Sequence, residues 1–222
     1  MSEKKKIGVV LSGCGVYDGA EIHESVLTLL AIDRAGAEAV CMAPNVDQLH
    51  VINHMTGNEM DEKRNVLVEA SRIARGNIRD IATVRADEVD ALMFPGGFGA
   101  AKNLCDFAVN GENCNVHPEV MRLVREFKDK QKPQAAVCIA PALMAKTYEG
   151  TDANPVLTIG NDEDTSAKMV AMGSQHQNAT VTQTVVDTDN KIVSSPAYML
   201  GQNISEVAEG IDNTVKELLK LL

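Results

Sequence analysis

The feature that most constrains this chain is a repeated switch in hydrophobic period. Residues 5–12 carry the run Ile7-Gly8-Val9-Val10-Leu11 after a charged start. An apolar, β-branched run without polar alternation predicts a strand buried on both faces. The loop Ser12-Gly13-Cys14-Gly15-Val16-Tyr17-Asp18-Gly19 follows, and apolar residues at Ile22, Val26, Leu29, Leu30 and Ala31 then mark a helix over 21–35. Gly36 stands where a helix C-cap belongs, and 37–43 (AEAVCMA) is a second strand stopped by Pro44. Strand, helix and strand at this spacing form a βαβ unit, which requires parallel strands.

The alternation continues through the chain. Helices are expected at 62–75, 117–130, 139–148, 162–172 and 203–222, and strands at 90–94, 134–138 and 156–159. Hairpins are expected at 50–60, around Thr56-Gly57-Asn58, and at 184–194, around Asp189-Asn190. The fold class is therefore α/β: a doubly wound, mostly parallel sheet with helices on both faces and small β-hairpin insertions, in a single domain over 1–222. At 222 residues, folding hides roughly 70% of the unfolded surface, so no staple is required.

Composition narrows the function. A net charge of −10 and a pI near 5.0 repel phosphate backbones and anionic lipid, so neither nucleic acid nor membrane is an expected partner. Aromatics are only 3% and Trp is absent, which leaves an aliphatic core and no platform for stacking bases. Lys4 to Lys6 read as a solvated tail. Together with Ile7–Leu11 and Leu11-Ser12-Gly13-Cys14 they imitate a lipoprotein leader, but the apolar run is shorter than the roughly 7–15 residues such a leader uses. The five cysteines (14, 41, 105, 114, 138) include no C-x-x-C, and His50 and His54 have no third ligand in view. Free thiols, no metal and no cofactor are expected, in the cytoplasm or another reducing space.

Open α/β sheets bind ligands at the carboxyl ends of their strands, which singles out the loops 12–21, 95–103 and 138–141. In Val137-Cys138-Ile139-Ala140-Pro141 a strand ends on a cysteine and turns at once into a helix. A thiol there stands above the sheet at a helix N-terminus, which favours a thiolate, and the Ile139 amide can face an oxyanion. A buried core cysteine is the plainer alternative. Pro95-Gly96-Gly97-Phe98-Gly99 offers close-approaching backbone N–H groups, and Lys102 and Asn103 behind it could orient a substrate or simply lie in solvent. In Glu21-Ile22-His23-Glu24, acidic residues of a first helical turn usually answer the helix dipole. That reading suits Glu24 best. Glu21 faces the carboxyl edge, where it can hold a proton beside the cysteine, with His23 as a second acid/base.

Six segments together resemble a known superfamily: 7–24 (IGVVLSGCGVYDGAEIHE), 51–60 (VINHMTGNEM), 64–76 (RNVLVEASRIARG), 94–104 (FPGGFGAAKNL), 137–144 (VCIAPALM) and 186–204 (VDTDNKIVSSPAYMLGQNI). It is the class-one glutamine amidotransferase-like superfamily, which includes the PfpI peptidases and the Parkinsonism-linked deglycase. The similarity is greatest to its ElbB-like branch, also called sigma cross-reacting or isoprenoid-biosynthesis-like proteins. The resemblance implies a flavodoxin-like fold, an active-site Cys138 with Glu21 beside it, and a homodimer. It further implies a weak glutathione-independent glyoxalase activity, glyoxal to glycolate, which can also reflect deglycase chemistry. The hemithioacetal on Cys138 would be held by amides near Gly97 and Ile139. PfpI-type peptidases place a His directly after the nucleophile, where this chain has Ile139. Glutamine amidotransferases carry a late His-x-Glu, where this chain offers only His176-Gln177-Asn178. Peptidase and glutaminase chemistry are therefore disfavoured. The competing expectation is a redox-sensing or partner-binding protein in which Cys138 oxidises, with Cys14 as its resolving thiol.

Overall fold

A computed structural model describes residues 4–222. In chain order the first elements are β1 (Lys6–Val10), α1 (Ile22–Arg34), β2 (Glu38–Ala43), α2 (Val66–Ile73), β3 (Arg79–Asp80) and β4 (Ala91–Phe94). Then come α3 (Phe98–Lys102), α4 (Phe107–Asn110), α5 (Pro118–Asp129), β5 (Gln134–Val137) and α6 (Ala140–Tyr148). The chain closes with β6 (Val156–Leu157), α7 (Glu163–Ala171), β7 (Gln175–His176), β8 (Val185–Asp187), β9 (Ile192–Ser195) and α8 (Ile204–Lys220).

Seven strands form one sheet in the order β3-β2-β1-β4-β5-β9-β8, and β6 pairs with β7 separately. Every neighbouring pair is parallel except β8 with β9. This is the expected doubly wound α/β architecture with an antiparallel edge. The apolar strand runs are explained by cover on both faces. Ile7, Val9, Ala91, Met93, Ala135 and Val137 pack toward α1, α2 and α8. Val10, Leu92, Phe94 and Ala136 alternate with them and pack toward α5 and α6.

Four short elements show no period in the sequence: β3, α3, α4 and β7, each too short for one. The tail reading holds for Lys4 and Lys5, which are exposed, but not for Lys6. Lys6 begins β1, and its N–H donates to Asp90 Oδ2 at 2.8 Å. The 50–60 segment does turn back on itself, with Asn53 N–H donating to Asn58 C=O at 2.9 Å and Met60 N–H to Val51 C=O at 2.8 Å.

Helix α1 departs from its predicted orientation. Of the stripe Ile22, Val26, Leu29, Leu30 and Ala31, Ala31 is buried and Leu29 partly so, yet Ile22, Val26 and Leu30 are 43%, 49% and 38% exposed. The buried face is Glu24, Ser25, Thr28, Ala31 and Ile32. Small and polar side chains face the sheet here because α1 also packs against α8, and bulkier residues would hold the helix away.

Candidate active site

Strand order decides which loops meet. The chain passes from β1 outward to β2 on one side and returns to β4 on the other, so the loops leaving β1 and β4 open a crevice between them, with β5 next in line. The loops are tied by backbone: Glu21 N–H donates to Gly96 C=O at 2.9 Å, Phe98 N–H to Val16 C=O at 2.8 Å, and Gly99 N–H to Gly19 C=O at 2.8 Å. All three loops singled out from the sequence converge here.

Cys138 follows the last residue of β5, and its N–H donates to Ser195 C=O at 3.0 Å, extending the ladder to β9. Its φ is +61°, in the left-handed region that costs a non-glycine residue about 1–2 kcal/mol. The strain turns the chain from strand to helix in one residue and leaves the sulfur facing the crevice. The N–H groups of Gly97 and Ile139 both point to that sulfur. Gly96 packs so closely on Cys138 that a Cβ there would lie 2.4 Å from the Cys138 Cβ and 2.9 Å from its Sγ. Its N–H is already given to a carboxylate, so Gly97 and Ile139 are the donors left for an oxyanion, and Gly96 is not.

The carboxyl beside Cys138 is that of Glu24, not Glu21. Glu24 is fully buried. Its Oε2 accepts the Gly96 N–H at 2.8 Å and its Oε1 the Tyr198 N–H at 3.1 Å, and it shares a hydrogen bond with the Cys138 thiol. Glu21 instead occupies the N-cap of α1, where its Oε2 accepts the Glu24 N–H at 2.7 Å. Three residues along a helix bring Glu24 to the buried face. The clue in the sequence was Glu24 in register with Thr28, Ala31 and Ile32. It was masked by the more apolar stripe at Ile22, Val26 and Leu30.

Burial, aided by the nearby Glu21 charge, pushes the Glu24 carboxyl up to about 7 against hydrogen bonds from Tyr198, Cys138 and Gly96. Burial and the Glu24 charge also push the Cys138 thiol well above its ordinary range, while the Gly97 and Ile139 amides pull the other way. The expectation of an accessible, low-pKa thiolate is thus corrected: Cys138 is only 7% exposed, and a short helix N-terminus does not outweigh desolvation plus an adjacent carboxylate. The two groups bias each other: the Glu24 charge disfavours the Cys138 thiolate, and the thiol hydrogen bond favours the Glu24 carboxylate.

The remaining expected residues lie elsewhere. His23 is exposed, and its Nδ1 is 2.7 Å from the Tyr198 hydroxyl; it makes no hydrogen bond to Cys138 or Glu24. Asn103 is a structural tie between loops. Its Nδ2 donates to the Ser12 and Asp18 carbonyls, each at 2.9 Å, and its Oδ1 accepts the Leu49 N–H at 3.0 Å, which occupies both donors and one of its two acceptor sites. The 50–60 segment braces the first loop: Ile52 N–H donates to Asp18 Oδ2 at 2.7 Å and Tyr17 N–H to His54 Nε2 at 3.2 Å. Cys14 lies by Glu69, Arg72 and Asp18, and burial raises its thiol; no interaction links it to Cys138. Tyr198, which sequence reasoning missed, reaches the site through its backbone N–H. Among the described residues, no group of three or more His, Cys, Asp or Glu side chains is placed to hold a metal ion. Nor is any helix there long and apolar enough to cross a membrane.

Residues 14–199 match the model of the DJ-1/PfpI family. The chain is 43% identical to the ES1 protein homolog, mitochondrial, of Rattus norvegicus, across 98% of this chain and 84% of that protein. It is equally 43% identical to glutamine amidotransferase-like class 1 domain-containing protein 3, mitochondrial, of Homo sapiens, across 97% of this chain and 83% of that one. Among solved structures, an isoprenoid biosynthesis protein with amidotransferase-like domain from Ehrlichia chaffeensis superposes with a TM-score of 0.91 at 37% identity, covering 98% of this chain and 100% of that one. The expected flavodoxin-like fold agrees with these matches. The cytoplasmic expectation is overturned by them: both curated relatives are mitochondrial by name, and a lack of disulfides describes a reducing space without saying which.

Proposed function

The chain belongs to the DJ-1/PfpI family, and on that premise we propose that it is a glutathione-independent glyoxalase of the ElbB-like branch, converting glyoxal to glycolate and methylglyoxal to lactate. The observation that carries this reading is the buried Glu24 carboxyl hydrogen-bonded to Cys138 beneath the Gly97 and Ile139 amides. The Cys138 sulfur adds to an aldehyde carbon as its proton passes to Glu24, and the new oxyanion is received by the two amides. Once reprotonated, this is a hemithioacetal. Glu24 then takes the proton from the sulfur-bearing carbon and returns one to the neighbouring carbon, which leaves a thioester of the hydroxy acid. Water cleaves the thioester, releasing the acid and restoring the thiol. The same addition to a glycated group would give deglycase activity.

Two features support this over a redox-sensing or partner-binding role for Cys138. Burial and the Glu24 charge keep its thiol protonated, and no interaction links Cys14 to it as a resolving thiol. The test is consumption of glyoxal and methylglyoxal, with the hydroxy acid identified, by the wild type, Cys138→Ala, Glu24→Gln and Glu21→Gln. Turnover is expected to vanish in Cys138→Ala and Glu24→Gln and to persist in Glu21→Gln. No turnover by the wild type, or survival in Cys138→Ala, would sink the enzyme reading in favour of the redox or partner-binding one.

A further inference from the structure

The loop after α3 holds two cysteines with no part in the site above. Cys105 and Cys114 lie on short antiparallel arms: Asp106 N–H donates to Asn115 C=O at 3.1 Å and His117 N–H to Leu104 C=O at 2.8 Å, with Cys105 bridged to Val116. The Asn115 N–H adds a bond to Asp106 Oδ1 at 2.6 Å. Between the arms, α4 and a 3-10 turn over Gly111–Asn113 close the loop on itself. The arms hold the two side chains against each other, and the thiols share a hydrogen bond. The Ala100 C=O, 3.3 Å from Cys105 Sγ, is a second acceptor within reach of the one Cys105 proton.

The two sulfurs differ. The hydrogen bond from Cys105, and then the Lys146 charge, favour the thiolate at Cys114, while the same bond and burial keep Cys105 protonated. Lys146 is held over the loop by donating to Glu112 C=O at 2.9 Å. Cys114 is 1% exposed, but its neighbours Asn113 and Asn115 are both exposed. Reaction at the Cys114 thiol therefore requires this loop to open locally.

We propose that Cys105 and Cys114 form a dithiol redox site that closes to an intramolecular disulfide when hydrogen peroxide reaches the loop. The Cys114 sulfur attacks one peroxide oxygen, the O–O bond breaks and hydroxide leaves, giving a sulfenic acid. The Cys105 sulfur then attacks the Cys114 sulfur. The S–O bond breaks, and the departing hydroxide takes up the Cys105 proton as water. Counting the proton of Cys114, two thiols and one peroxide become one disulfide and two waters. A small thiol reductant reverses it by exchange. The closed loop lies directly after Asn103, which ties the first site loop in place, so oxidation acts beside the active site without consuming Cys138.

The test is mass spectrometry of the full chain after brief treatment with hydrogen peroxide, alkylation in denaturant and peptide mapping, in the wild type and in Cys138→Ala. The expected result is a chain lighter by two hydrogens, Cys105 and Cys114 joined and protected from alkylation, and both reactive again after dithiothreitol. Cys114→Ser should leave Cys105 alkylatable. The peptide map separates this crosslink from oxidation at Cys138 even in the wild type, so the result does not depend on any variant folding. Full alkylation of both cysteines after peroxide, or a disulfide formed with Cys14 or Cys41 instead, would overturn the proposal. Neither outcome bears on aldehyde turnover at Cys138.

Discussion

The chemistry of the site turns on one carboxyl. Because burial raises Glu24 from 4.5 to about 7, the group is poised to hold and release a proton near neutrality. As the base, it must be ionised, so aldehyde turnover should rise with pH through about 7; a profile flat across that range would argue against Glu24 as the acceptor. The same shift bears on stability. A carboxyl whose folded pKa exceeds its unfolded one favours the fold when protonated, so its contribution is complete below 4.5 and is lost as pH rises through about 7. Urea unfolding should show the wild type losing up to about 3 kcal/mol across that window, a slope that Glu24→Gln lacks. Gly96 supplies a second test. A Cβ there meets Glu24 Oε2 at 2.8 Å and the Cys138 Cβ at 2.4 Å. Gly96→Ala should therefore cost about 1–3 kcal/mol by overpacking and abolish turnover, while Gly36→Ala, with nothing near its Cβ, leaves turnover intact.

At the level of elements, α1 does two jobs with two glutamates. Glu21 caps it and Glu24 serves the site. Glu21→Ala should lower stability by about 1 kcal/mol through the lost cap, with turnover reduced far less than in Glu24→Gln. Asn103 joins the start of the first site loop, its end and the bend at Leu49. Asn103→Ala leaves three backbone groups short of a partner, a loss of about 3 kcal/mol. If Asn103 bound substrate instead, the change would appear in KM with unfolding unaltered. Thermal unfolding and steady-state kinetics on these variants separate the two roles. The helix after the first strand was legible because its period spans more than three turns. Which of its faces turns inward was not, because hydrophobicity alone favoured Ile22, Val26 and Leu30, and the close approach of α8 decided otherwise.

For the whole molecule, that same exposed stripe has a consequence. Three large apolar residues on one helix face are more than scattered surface hydrophobes, and the resemblance to this superfamily implies a homodimer. Sedimentation is expected to give twice the chain mass, and Val26→Asp to shift the chain toward the monomer by placing a charge on the stripe. A monomeric wild type would overturn the homodimer that the resemblance implies. The sheet itself is insensitive to this question, since its two faces are already covered by α1, α2 and α8 on one side and α5 and α6 on the other.

The sequence by itself determined the alternation of strands and helices, the parallel sheet and the three loops at its carboxyl edge. Those follow from hydrophobic period and chain connectivity, which are local properties. It also singled out Cys138, because a cysteine between an apolar strand and a helix can only sit at their junction. What tertiary structure alone decided was which carboxyl meets that cysteine and how its thiol titrates. Glu21 and Glu24 are three residues apart and chemically alike. They are told apart only by the rotation of α1 against the sheet and by the Gly96 and Tyr198 amides waiting there. Burial, too, is a sum over neighbours distant in sequence. The desolvation that raises both Cys138 and Glu24 therefore has no signature along the chain.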